Sequence, residues 1–125
     1  MVKISIIGAG SMAWSITLVK DICLRKGLSS STVSLMDIDR ERLKAIHGIA
    51  KRYAAEVKAN LKFESTLNRK ESLRDADFVI CAVLAGGHNN YEIQREVAEK
   101  HGYYRGIDSV DFNMVADYPT IGGYY

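Results

Sequence analysis

No apolar stretch in this 125-residue sequence reaches the roughly 18 residues that a membrane span requires. The N-terminus enters a strand-like run at once, without the charged lead and small-residue cleavage site of a secretory signal. A cytoplasmic location with no membrane association is therefore expected. Charge of one sign is equally scarce: the net formal charge is +2, and basic residues alternate with acidic ones, as in Arg40, Glu41, Arg42 and Lys44, then Arg95, Glu96, Glu99 and Lys100. Such mixing marks solvated helix faces and gives no reason to expect nucleic acid. Cysteine is limited to Cys23 and Cys81, each inside an apolar run, with no Cys-x-x-Cys spacing and no neighbouring histidine. Free buried thiols are expected, and neither reads as a metal ligand. The sequence also lacks internal repeats and low-complexity linkers.

What is present suits one globular domain. A chain of this length buries roughly two thirds of its unfolded surface, enough for a single core and not for two. Hydrophobic residues make up 47% and charged residues 26%, which excludes disorder.

The elements alternate. "VKISIIG" is β-branched and reads as a strand; residues 11–25 follow as a helix, with Ser11 as its cap, Ile16, Val19, Ile22 and Cys23 as its apolar stripe, and Gly27 as its stop. Ser31 to Asp37 is a second strand, and a long helix from Asp39 to Lys58 carries Leu43, Ile46, Ala50, Tyr53 and Val57 at three- and four-residue spacing. "LKFEST" is a third strand and "NRKESLRDA" a short polar helix or turn. "DFVICAVLA" is a continuous apolar run, as expected of a strand buried on both faces of a parallel sheet. The pair Gly86 and Gly87 breaks it, Asn89 or Asn90 supplies a cap, and Tyr91 to Lys100 is a further helix. With right-handed crossovers this pattern is a Rossmann-like, doubly wound α/β sheet with strand order 3-2-1-4.

Within that frame, Gly8-Ala9-Gly10-Ser11-Met12-Ala13 fits G-x-G-x-x-A. Gly8 permits the tight strand-to-helix turn, Gly10 lacks the Cβ that would block a pyrophosphate, and Ala13 lets the helix approach the sheet. Phosphates then rest on the helix N-terminus, where unpaired N–H groups favour an anion. Asp37, at the end of the second strand, can accept both ribose hydroxyls of an adenosine, which points to NAD. A 2′-phosphate about 4 Å from that carboxylate meets a repulsion of roughly 4 kcal/mol per unit charge. Arg40 is the nearby residue able to reverse the preference. The alternative is that the glycines only make a turn, while Asp37 caps the next helix together with Asp39.

The ligand crevice of such a sheet lies at the switch between its first and fourth strands, here residues 84–90. Gly86 and Gly87 would let backbone approach the nicotinamide ribose, while His88 and Asn89 either reach ligand or belong to a solvated loop. Residues 99–118, "EKHGYYRGIDSVDFNMVADY", are too rich in Tyr, Gly, Asp and Asn for a surface linker. Together with "KISIIGAGS", "SLMDID" and "AGGH", they resemble glycoside hydrolase family 4, and within it the α-glucosidase and α-glucuronidase type, from Lys3 to about Tyr118.

That resemblance implies a hydrolase that works by redox and elimination. NAD accepts hydride from C3 of the sugar, a divalent metal, usually Mn²⁺, polarises its oxygens, and the C2 proton is removed before the glycosidic oxygen leaves. By the same resemblance Gly8, Gly10, Ser11 and Asp37 are cofactor positions, and Ala9 and Met12, in the same loop, are expected to bind the cofactor with them. Asp117 is then an acidic residue facing the sugar, with Asn113 on its face if the segment is helical. The family's metal ligands, Asn-Pro loop and general base follow this point, so no metal ligand is expected within residues 1–125. The chain is expected to be an incomplete NAD-binding domain, inactive alone, of an enzyme that is a homo-oligomer and takes a small α-glycoside. Glucoside, glucuronide and galactoside all remain open. A lactate- or malate-type dehydrogenase and a non-catalytic NAD-binding module are the alternative readings.

Overall fold

β1 (Lys3–Ile7) forms where β-branched residues alternate, and β2 (Thr32–Met36) lies parallel to it with Ile4 opposite Val33, Ser5 opposite Ser34 and Ile6 opposite Leu35. A computed structural model describes residues 1–83 and 87–104. The chain divides into two units, Met1–Val83 and Leu84–Tyr125, each described by itself. In the first, β3 (Lys62–Thr66) pairs with β2 and β4 (Phe78–Cys81) with β1, all parallel, in the expected order β3-β2-β1-β4.

That order decides which face each helix covers. The crossovers from β1 to β2 and from β2 to β3 step in one direction and the crossover from β3 to β4 steps back, so right-handed connections send the third helix to the opposite face. Accordingly α1 (Met12–Leu24) and α2 (Arg40–Glu56) pack on each other and share one core with the strands, built on Ile4, Ile6, Val33 and Leu35 from the sheet, Val19 and Ile22 from α1, and Leu43, Ile46 and Ala50 from α2. The short α3 (Arg69–Leu73) contacts β1, β2 and β3.

The α3 face is held by hydroxyls. Ser5 and Ser34, side by side on β1 and β2, each reach the Ser72 hydroxyl of α3, at 2.7 and 2.9 Å, and all three residues are buried. Ser72→Ala strands two buried hydroxyls, so it is expected to cost about 1–3 kcal/mol in urea denaturation, whereas replacing all three serines by alanine should recover much of that loss. A silent Ser72→Ala would show that the trio contributes nothing.

Several boundaries and faces differ from the sequence reading. α1 ends at Leu24, and Gly27 sits beyond it in a 3-10 turn (Lys26–Leu28), so the helix stops before its glycine. Ile16 is exposed and Ser15 takes the inward position instead. On α2 the buried stripe runs Leu43, Ile46, Ala50, Ala54, leaving Val57 exposed as the C-cap, with Tyr53 half-buried. Among the described residues β4 is an edge strand, with Phe78 and Val79 exposed and Ile80 packed on the core, where the sequence leads to burial on both faces. Cys81 is likewise exposed, while Cys23 is half-buried, and burial pushes its thiol up. Both thiols are free, as expected, but neither is fully buried.

In the second unit, α4 (Gly87–Lys100) begins four residues before the expected Tyr91, so Asn89 and Asn90 lie inside the helix and not at its start. Arg95 pairs with Glu92 and Glu99, one turn away on either side, which raises its own pKa and holds the Glu92 carboxyl below its usual range. α4 closes in a Schellman turn: Gly102, at φ +82°, donates its N–H to the Glu99 carbonyl at 2.9 Å, and Tyr103 donates to the Ala98 carbonyl at 2.9 Å.

Candidate functional site

The chain leaves β1 into a turn fixed at both ends. The N–H groups of Gly8 and Ala9 both donate to the Met36 carbonyl at the end of β2, at 2.9 Å each, and the Ser11 N–H returns to the Gly8 carbonyl at 3.1 Å. Gly8 has φ +86°, and a Cβ there would meet the Ala82 carbonyl oxygen at 2.4 Å. Only glycine meets both conditions, a left-handed backbone and close approach of the chain following β4. Ala9 is buried in the core, and its carbonyl accepts the hydroxyl of buried Ser15 at 2.6 Å. Ser15 therefore joins helix to turn, a role the motif assigns to Ala13; Ala13 is exposed.

Asp37 is the partner of this turn. Its Oδ2 accepts the Gly10 N–H at 2.7 Å and its Oδ1 accepts the Asp39 N–H at 2.9 Å. A Cβ on Gly10 would stand 2.8 Å from the Asp37 carboxyl carbon and Oδ2, and 3.0 Å from Cβ of Arg42. Among the described residues, then, the bare Gly10 makes room for Asp37 and Arg42. Capping of α2 falls to Asp39, whose Oδ1 accepts from the N–H groups of Glu41 and Arg42 at 3.0 Å each; Asp37 does not share it. Asp39 Oδ2 also holds the Nε of Arg42 at 3.3 Å. The sequence pointed to Arg40; both it and Arg42 are exposed, and it is the Arg42 Cβ that lies near Gly10.

Ser11 occupies the N-cap position of α1, yet its side chain makes no capping hydrogen bond, and the first turn of that helix carries no acidic residue. By contrast, α2 and α3 are capped by Asp39 and Asn68. Among the described residues, no side chain caps the first-turn N–H groups of α1, beside Met12 and Trp14, which suits them to an outside acceptor at the end of the glycine turn. Met12 and Trp14 are exposed there.

Of the remaining expected site residues, Gly87 opens α4 in the second unit, and Gly86, Asn113 and Asp117 lie outside the described residues. No group of three His, Cys, Asp or Glu is arranged to hold a metal among the described residues. Nor does any helix among them have the length and apolarity to cross a membrane. Sequence reasoning missed Ser15 and Arg42. Their signals are helical phase: Ser15 lies four residues after Ser11, and Arg42 three after the Asp39 cap.

Comparison with known proteins bears on this arrangement. The model of the family described as family 4 glycosyl hydrolase matches residues 3–125. An alpha-galacturonidase of Thermoanaerobacter italicus is 35% identical over 106 residues, covering 85% of this chain and 22% of the relative, so the chain spans about a quarter of the length of such relatives. Among solved structures, the 6-phospho-beta glucosidase of Thermotoga maritima with manganese, NAD+ and glucose-6-phosphate superposes with TM-score 0.68 at 27% identity, over 82% of this chain and 24% of that one. A malate dehydrogenase of Cryptosporidium parvum superposes with TM-score 0.52 at 26% identity, over 82% of this chain and 34% of that one.

Proposed function

The chain belongs to glycosyl hydrolase family 4, and from that membership we propose that its glycine turn holds the pyrophosphate of NAD in an enzyme that cleaves a small α-glycoside. The observation that carries this reading is the start of α1: a helix opening straight from the glycine turn, without a side-chain cap or first-turn acid, while α2 and α3 are both capped. An anion bound there satisfies the free N–H groups and the helix dipole together. Asp37 suits the adenosine ribose, because each of its oxygens accepts one backbone N–H and keeps a lone pair for a hydroxyl. The same charge disfavours a 2′-phosphate.

When bound, NAD supplies reversible hydride acceptance at the sugar. This chain's own residues bind and orient: the pinned turn fixes the phosphates and Asp37 fixes the ribose. Asp117 and Asn113 as sugar-facing residues, and Gly86 and Gly87 beside the nicotinamide ribose, rest on the family resemblance. Mn²⁺ rests on the resemblance and on the manganese bound by the Thermotoga relative; no ligand for it is assigned among the described residues. The alpha-galacturonidase relatives favour an α-linked uronide over a neutral glycoside. We place the whole enzyme in the cytoplasm as a homo-oligomer, with residues 1–125 as an incomplete NAD-binding domain that binds nucleotide but does not turn over glycoside alone. The likeness to malate dehydrogenase keeps a second reading, a hydroxy-acid dehydrogenase, which predicts net NADH accumulation where the glycosidase returns its hydride.

Trp14, the only tryptophan, stands exposed on the first turn of α1 and reports on this site. Its fluorescence should change saturably with NAD at micromolar levels, about −8 kcal/mol, and respond more weakly to NADP, once circular dichroism has shown the chain folded. A folded chain to which neither nucleotide binds, by fluorescence or calorimetry, would overturn the proposal.

A further inference from the structure

The corner formed by Gly10, Asp37, Asp39 and Arg42 contains more than ribose recognition requires. Arg42 stands in the first turn of α2, where the helix dipole disfavours a cation. Its Cβ lies 3.0 Å from where a Gly10 Cβ would be, and its Nε is tied to Asp39 Oδ2 at 3.3 Å. Asp39, two residues on from the carboxylate proposed to select against a 2′-phosphate, is thus both the cap of α2 and the counter-charge of Arg42.

We infer that Asp39 is a second determinant of nucleotide choice, acting by tethering Arg42 so that its guanidinium is not free to receive a 2′-phosphate at the adenosine ribose. The inference rests on the proposed NAD site and adds to it. Two charges then enforce one choice: Asp37 repels the phosphate directly, and Asp39 withholds the cation that would compensate. The tether is solvent-exposed, with Arg42 70% and Asp39 45% accessible, so its contribution is modest, worth up to about fivefold in affinity. Asp39 acts through Arg42 and is a positioning residue.

The variant that isolates this role is Asp39→Asn, because asparagine caps a helix as well as aspartate does and leaves α2 in place. Dissociation constants for NAD and NADP are measured by calorimetry on the 125-residue chain, wild type and variants, each checked by circular dichroism. Asp39→Asn should tighten NADP up to about fivefold while leaving NAD within about twofold. Adding Arg42→Gln to that variant should abolish the gain. If the gain persists without Arg42, Asp39 acts only by repulsion and the tether is overturned. An unchanged NADP-to-NAD ratio in Asp39→Asn, with NAD still bound, overturns the inference and leaves the NAD site standing. Failure of the wild type to bind either nucleotide removes both.

Discussion

Gly8→Ala should strongly destabilise the first unit, with a loss of about 3 kcal/mol or more out of the 5–15 kcal/mol that stabilises a typical domain. Two independent effects combine. The left-handed backbone at φ +86° costs an alanine about 1–2 kcal/mol. In addition its Cβ would stand 2.4 Å from the Ala82 carbonyl oxygen and 2.8 Å from the carbonyl carbon, which are backbone atoms and can yield only if the chain after β4 moves away from the turn. Gly48→Ala is the matched control. That glycine lies within α2 with nothing inside 4 Å of its missing Cβ, so the same substitution should stabilise by up to about 1 kcal/mol. Urea denaturation of the two variants should therefore give shifts of opposite sign, and a tolerated Gly8→Ala would mean that β4 does not approach the turn.

At Gly10 the same change should spare the fold and weaken the nucleotide. Here the Cβ would meet the Asp37 carboxylate at 2.8 Å, which can swing away at the cost of its 2.7 Å bond from the Gly10 N–H, and the Arg42 Cβ at 3.0 Å, for which the start of α2 must yield a few tenths of an ångström. Losing a hydrogen bond to a charged group is worth about 1.5–3 kcal/mol. Because the displaced carboxylate is also the proposed ribose acceptor, NAD affinity should fall at least about tenfold. Calorimetric titration of folded Gly10→Ala reads this directly. Undiminished NAD binding would remove Asp37 from the nucleotide site.

Much of this molecule was legible before its structure. The β-branched runs, the long α2 stripe and the order of elements led to a parallel 3-2-1-4 sheet, because handedness leaves few ways to connect them. Phe78 and Val79 show the limit: an apolar run reports that burial is favourable, but not that a neighbour is present to provide it. Gly10 shows another. A motif explains a glycine by the ligand, whereas Asp37 and Arg42, distant in sequence, meet it only through the pairing of β1 with β2. Arg40 and Arg42 differ by two residues, and helical phase decides which one faces the turn. Ser5, Ser34 and Ser72 carry no pattern at all, since three isolated serines become a trio only when the sheet register and α3 align them.

The two N–H bonds on the Met36 carbonyl have a kinetic meaning as well. A phosphate-binding loop that is ordered only by its ligand must lose conformational entropy at the moment of binding, and association slows when a rearrangement has to precede capture. Here Gly8 and Ala9 are tied down by the sheet's own second strand, and Gly10 by the aspartate just beyond it. The ordering cost falls within the folding of the strands, so the proposed nucleotide would meet a turn already in its holding shape, its arrival rate set by diffusion and orientation.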